Sequence, residues 1–382
     1  MSKSIILLFI LVILFQSKFT RTCAQNESEF SITVDEQQLE VVLLDTEKRE
    51  LFGIAIQKNG GISELRISNM QYANTIGFYI WNEAGGQSYS SNATAEPVIE
   101  YEGEYVTITC YGKYASHQLS MITNITVSKT GIILFSSRMV GERDEPTILM
   151  IAWDSFIPMS LFAGEKIHVY AGKNVREVSL PINFVTNPVF THNDVKWIDF
   201  SKPLEGITLI NIAPYSHQGA TIQDEREWNG TTYSARYNIR GWGQKPVEQG
   251  EEFYAKVAIY VHGPGGYQAN QKVIDLLVTF ADLERRLKEI ESFKSDKAHV
   301  LASQARTQIN MALNKMLVGD LNSATEMLNR AEEFIKEAEG IETMRIAVYY
   351  ILRIVIPIVI LAITLYIILK RIRRRKIKQP LN

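Results

Sequence analysis

The sequence predicts a mainly β fold: a large antiparallel β-sandwich, followed by a three-helix stalk and one C-terminal transmembrane helix. Three observations carry this. From about Phe30 to Pro264, apolar and polar residues alternate in short runs separated by turn signals, the pattern of half-buried strands. From Val273 to Ala338 apolar residues recur at spacings of three and four, which places them on one helix face. From Ile351 to Leu369 only Arg353 is charged, a run long enough to cross a bilayer as a helix.

Lys3, an apolar core from Ile5 to Phe15 and the small residues Thr22 and Ala24 read as a signal peptide over residues 1–24. Residues 25–266 then form the β domain. Alternating or β-branched runs such as "LFGIAIQ", "EYVTITCYG", "GIILFSSRMV" and "TYSARYNIRGW" are divided by "KNGG", "SKTG" and "EQGE" turns. No Pro/Ser-rich linker splits this stretch, so one sandwich is expected rather than two. In "YVTITCYGKY" the alternation puts Cys110 on the face of Val106 and Ile108. If Cys23 leaves with the signal, Cys110 stands alone, a buried thiol with no disulfide partner.

The turn "NGGISELRI" after an opening strand, and a long meander ending "PVEQGEEFYAKVAIYVHGPGG", resemble the galactose-mutarotase-like super-sandwich across Val41 to Gly266. Members often open with a strand–GG–strand unit. They often close with a Pro-Gly-Glu style turn into a last long strand, matched loosely here by Glu248-Gln-Gly-Glu251. The resemblance implies a concave face on which mutarotases place a His acid and a Glu base. Their usual His-bearing motifs are not intact in this chain, so no catalytic residue is carried over.

Residues 267–340 read as a helical bundle or coiled-coil stalk. Val273, Leu276, Phe280, Leu283, Leu287 and Ile290 form the first seam. Leu301, Ala305, Ile309, Ala312 and Met316 form the second, and Leu321, Ala324, Leu328, Ala331, Ile335 and Ala338 the third. Ser295 and Asp320 suit N-caps and Gly319 a C-terminal cap. Short connections favour three antiparallel helices folded back within one chain. The same seams also fit a homo-oligomer joined through the stalk. Gly340 reads as a hinge into the span.

The span covers residues 347–369. Tyr349 and Tyr350 mark one interface, and Arg353, about one turn deeper, can snorkel back to it. Pro357 predicts a kink. The tail, residues 370–382, carries Arg371, Arg373, Arg374 and Arg375 among seven bases and no acid. By the positive-inside rule it is cytoplasmic, giving a type I single-pass protein of the plasma membrane with most of the chain outside. Ten of the 40 bases and none of the 42 acids lie in the two ends, so residues 25–369 carry a net charge of −12. That disfavours nucleic acid as a partner. Asn26, Asn92, Asn124 and Asn229 begin sequons on the outer side.

Six histidines show no metal-ligand spacing, and no phosphate-loop pattern is present, so neither metal nor cofactor is expected. The densest polar cluster is "PYSHQGATIQDEREWNGTTY". There His217, Asp224, Glu227 and Trp228 are candidate ligand-binding residues, since carboxylates move protons and indole stacks on sugar rings. The competing reading is a solvated hairpin. With no acid/base set recognisable, the sequence points to a cell-surface glycoprotein whose β domain binds a protein or glycan partner without catalysis. The alternatives are a membrane-anchored carbohydrate-active enzyme of epimerase or lyase type, or an accessory subunit of a membrane complex.

Overall fold

The computed structural model describes residues 28–82, 87–88, 91–145, 149–213, 219–241 and 246–377. The segment expected to be a signal peptide, Asn26, His217 and Trp242 lie outside them, as do the side chains of Arg373, Arg374 and Arg375.

Among the described residues, seventeen longer strands alternate between two sheets. The first sheet begins as a meander of β1 (Glu29–Val34), β2 (Gln38–Leu44), β3 (Glu50–Gln57), β4 (Ile62–Ile67) and β5 (Met70–Asn82). The chain then lays β6 (Tyr105–Tyr114), β7 (Leu119–Ser128) and β8 (Ile132–Gly141) in the second sheet, and returns to the first as β9 (Leu149–Pro158). β10 (Lys166–Ala171) and β11 (Asn174–Ser179) belong to the second sheet, β12 (Phe190–His192) to the first, β13 (Val195–Ser201) and β14 (Gly206–Ala213) to the second. β15 (Ala220–Asp224) and β16 (Thr232–Arg240) complete the first sheet, and β17 (Glu252–His262) the second. With the short pieces Gln87–Ser88, Asn92–Ala93 and Val98–Tyr101, each sheet has ten strands, all antiparallel. The orders are β1-β2-β3-β4-β5-β9-β16-β15-β12 and β11-β10-β13-β14-β17-β8-β7-β6.

Between the sheets lies one apolar core that includes Ile54, Ile108, Phe135, Trp153, Phe200 and Tyr237. Alternation did its work most plainly in β6, where every second residue is buried. Cys110 is one of them, and burial pushes its thiol up to about 12.

Four long helices follow: α1 (Gln271–Ile290), α2 (Asp296–Leu317), α3 (Leu321–Tyr350) and α4 (Ile356–Ile377). The caps read from the sequence are in place. Ser295 Oγ accepts from the Ala298 amide at 3.4 Å and Asp320 Oδ1 from the Ser323 amide at 3.1 Å, while Gly319 takes φ +80°. Ala298, Ala305 and Ala312 of α2 recur every seven residues, as do Ala324, Ala331 and Ala338 of α3, and all six are fully buried. Antiparallel packing sets the two alanine rows against each other, in register with the Lys297–Glu337 pair at 3.6 Å, so the two helices approach closely.

The three helices follow the sandwich as expected, and the first of them also packs on the second sheet. A single apolar cluster joins Ile132, Leu134, Trp197, Ile210 and Tyr260 of the second sheet to Ile274, Leu277 and Phe280 of α1. Lys196 reaches Asp282 at 2.7 Å across the same boundary. The physical reason is that α1 carries apolar residues on more than its seam: Ile274, Leu277 and Ala281 are buried too. A seam alone has one apolar stripe; a helix sandwiched between a sheet and two helices needs a wider one.

Gly340 is no hinge: α3 runs through it, and a Cβ there would meet nothing within 4 Å. Gly340→Ala is therefore expected to stabilise the helix by about 0.5–1 kcal/mol. A higher urea midpoint in detergent checks this; a lower one would mean that the glycine's freedom is used. The helix continues past Tyr350 through a π turn, Ile351–Val355, where Pro357 leaves the Arg353 carbonyl without its usual donor. Arg353 Nη1 donates to Tyr349 Oη at 3.2 Å, so its guanidinium turns back toward the start of the run. Within this continuous helix, the C-terminal apolar stretch has a mean hydropathy of 2.8 and is long enough to cross a membrane.

Candidate functional site

The two faces of the sandwich have different fates. The second sheet's outer face is covered by α1 over β8, β13, β14 and β17. On the first sheet, the outward residues of the central strands are polar and aromatic: Tyr79 and Trp81 on β5, Asp154 on β9, Ser234, Arg236 and Asn238 on β16, Thr221 and Gln223 on β15. Register fixes this grouping, because Asp154 stands opposite Gly77 on one side and Arg236 on the other.

Asp154 and Arg236 form the centre. Arg236 Nη2 and Nε donate to Asp154 Oδ2 at 2.7 and 3.0 Å, and Ser234 Oγ donates to Oδ1 at 2.8 Å. Both residues of the pair are almost fully buried. Burial works against the guanidinium's charge and Asp154 more than offsets it, so Arg236 is held more firmly protonated than usual. Its guanidinium also lies over the Tyr79 ring, 4.5 Å from the centroid. Tyr79 packs against Trp81 at 5.9 Å, and Trp81 meets Trp228 edge-on at 6.1 Å.

Trp228 comes from the 3-10 turn Glu225–Trp228 that follows β15. Asp224 caps this turn by accepting from the Arg226 amide, and Arg226 Nη2 binds its carboxylate at 2.6 Å. Burial acts to raise the Asp224 carboxyl, but the Arg226 hydrogen bonds outweigh it and hold the group below the usual range. Glu227 accepts from Asn187 Nδ2 at 2.6 Å, and Asn187 also bonds both backbone groups of Asp224. These carboxylates, with Arg226 and Asn187, thus fasten the turn to loop 181–188.

Glu225 behaves differently. It is 92% buried, and its Oε1 has no hydrogen-bond partner among the described residues. Burial, reinforced by the Asp154 charge and opposed by Arg236 and Ser234, pushes its carboxyl up to about 7. The group can therefore hold or release a proton near neutral pH.

Beside these residues a cavity of about 320 Å³ is lined by Trp81, Met150, Thr221, Gln223, Arg236, Asn238 and Gly241. It has the size of a small-ligand site and its lining mixes indole with amide, hydroxyl and guanidinium. A larger cleft, about 610 Å³, separates β8 and β17 from α1 and α2. Its charges pair with one another, Lys256 with Glu284, and both Lys288 and Arg306 with Glu291, so it reads as an ion-paired seam between sheet and helices.

Of the residues singled out by sequence, the structure brings Trp228 into the site and assigns Asp224 and Glu227 to holding the turn. Asn229 follows it, exposed, in a left-handed conformation at φ 63°. Asn92 and Asn124 are exposed on the second sheet. Sequence reasoning missed Tyr79, Trp81, Asp154 and Arg236. The available signal was a lone acid inside the apolar run "ILMIAWDSFIPM", a residue that burial tolerates only with a partner.

No family model and no curated protein matches this chain. Among solved structures it is similar to an α-mannosidase from Enterococcus faecalis, at 10% identity and a TM-score of 0.40 over 66% of this chain and 37% of the other. An aldose epimerase homologue from C. elegans gives 8% identity and a TM-score of 0.31, with 63% and 100% covered. An α-galactosidase from Geobacillus stearothermophilus gives 13% and 0.33, with 62% and 41% covered. Aldose epimerase homologues are thus among the structures this chain is similar to, and it spans well under half of the two glycosidases. At such TM-scores the likeness decides nothing about activity, which must be argued from the site.

Proposed function

We propose that the outer face of the first sheet is a saccharide site on a membrane-anchored protein, with Glu225 as its acid/base group. The observation that carries this is a cavity lined by Trp81, Gln223, Arg236 and Asn238, with the Trp228 indole against Trp81 and, close enough to feel the Asp154 and Arg236 charges, the buried Glu225 carboxyl, whose Oε1 has no hydrogen-bond partner among the described residues. Indole faces take the apolar side of a sugar ring, and amide, hydroxyl and guanidinium groups take its hydroxyls. A proton held by Glu225 near neutral pH suits an epimerase- or lyase-type step better than hydrolysis, because glycoside hydrolysis uses two working carboxylates. Asp154 is already committed to Arg236 and Ser234. That commitment favours a second reading, in which the site binds sugar without turnover. In both readings the apolar helix anchors the chain, with Tyr349, Tyr350 and Arg353 at the outer interface and Arg371, Arg373, Arg374 and Arg375 on the cytoplasmic side.

The test is a saccharide array with the full chain in detergent. Trp228→Ala and Trp81→Ala should each weaken binding by about 30-fold, the ~2 kcal/mol of a buried aromatic anchor. Binding unaffected by both changes would move the ligand elsewhere on the protein. Glu225→Gln then separates the two readings: loss of turnover with retained binding identifies the enzyme.

A further inference from the structure

The cavity lies toward one end of the sandwich. The connections β8–β9, β14–β15 and β16–β17 all cross between sheets at that end, since Val140 pairs with Glu252, Ala213 with Lys256, and Arg240 Nη1 bonds the Leu149 carbonyl at 2.9 Å. Trp81, Met150 and Gly241 form the cavity's rim there, and the Glu225–Trp228 turn folds over the face from the opposite side.

It is also the end from which the chain departs for the membrane. α1 runs back along β17: Asn270 lies beside Tyr260 and His262, whereas Leu287, Lys288 and Glu291 line one cleft with Glu252 and Tyr254. Near that end Arg286 clamps α1 to α3 through Glu339, at 2.8 and 2.9 Å. From Glu339 the helix is unbroken into the apolar stretch. Ten residues to Tyr349 correspond to about 15 Å. The cavity thus lies toward the end of the sandwich from which the helix leaves for its apolar stretch, about 15 Å away along that helix.

We propose that the ligand is the neutral saccharide head group of a glycolipid in the same membrane. This rests on the saccharide reading above and adds where the sugar comes from. A small cavity grips only a few sugar atoms and is weak for a free ligand; anchoring both partners in one bilayer raises their effective concentration. A cavity at the end of the sandwich nearer the apolar stretch gains from that arrangement. The net −12 charge of residues 25–369 disfavours anionic head groups and leaves uncharged sugars.

The experiment uses full-length protein in phosphatidylcholine vesicles. The probes are glucosyl, galactosyl and mannosyl diacylglycerols bearing one to four sugars, compared with the same saccharides free in solution. Tryptophan fluorescence reports binding. A variant carries an inserted stretch of about 18 helix-forming residues between Arg345 and Ile346, five turns, which raises the site by about 27 Å without rotating it. The wild type should bind at least one lipid-linked sugar ten-fold or more tighter than its free form. The insertion should remove that advantage while leaving free-saccharide affinity unchanged, which also shows that the variant is folded. Equal lipid-linked binding in both proteins, or a wild type with no preference for lipid-linked sugar, would overturn the proposal and place the source off this membrane. If no saccharide binds in either form, the saccharide reading itself fails.

Discussion

Asp154→Ala is expected to lower stability by about 3–5 kcal/mol, because it leaves the Arg236 guanidinium buried without its counter-charge. Arg236 is 4% exposed, so although it lines the cavity most of its guanidinium is out of contact with water. Its contact with the Tyr79 ring supplies at most ~2 kcal/mol and does not replace a carboxylate oxygen that accepts two of its N–H bonds. Ser234 Oγ loses its acceptor at the same time. The urea midpoint of the full chain in detergent measures the loss. The double variant Asp154→Ala, Arg236→Met should recover most of it, since an apolar pair can replace a buried ion pair at little or no cost. A single variant that loses under about 1 kcal/mol would mean that water reaches Arg236, and that the face is more open than its burial indicates. If the double variant folds well but no longer binds sugar, the pair is retained for its ligand.

What was legible in the sequence follows from which residues had water on one side. β6 and β7 face solvent on their outer surface and alternate cleanly, so period two exposed them. The helix caps at Ser295, Gly319 and Asp320 were legible because each is a local backbone demand met by its own side chain or lack of one. The site was carried by strands of another kind. All ten residues of β9 are buried, and β5 alternates only in part, so neither showed as an amphipathic run. Strand order was hidden for a different reason. The chain crosses between sheets repeatedly, and the pairing of Asp154 with Arg236, 82 residues apart, depends on register across distant segments. The docking of α1 was hidden because heptad spacing describes one stripe and is silent about a second face. The 225–228 cluster was found through its polar residues, yet Glu225 and Trp228, to which the proposed function assigns roles, were distinguishable from Asp224 and Glu227 only once the turn was folded over the sheet.

Glu225→Gln is expected to raise stability at pH 8 by up to ~3 kcal/mol and to flatten its dependence on pH. The sign comes from proton binding. Below the ordinary value of 4.5 the carboxyl is protonated in the folded and the unfolded chain alike, and the group makes no difference. Between 4.5 and about 7 the unfolded chain releases the proton while the folded protein keeps it. Stability therefore falls as pH rises through this window, by about 1.4 kcal/mol for each pH decade between the two values. Above about 7 both states are ionised and the full cost stands. Glutamine cannot ionise, so wild type and variant should match near pH 4.5 and separate up to pH 7, as urea midpoints across that range would show. Parallel curves would mean that Glu225 titrates as an exposed acid does, and the proposed acid/base role would lose its basis. Diverging curves would show a folded protein keeping, beside an open cavity, a carboxyl that glutamine replaces to its advantage. Groups held at such a cost concentrate where their protons are used.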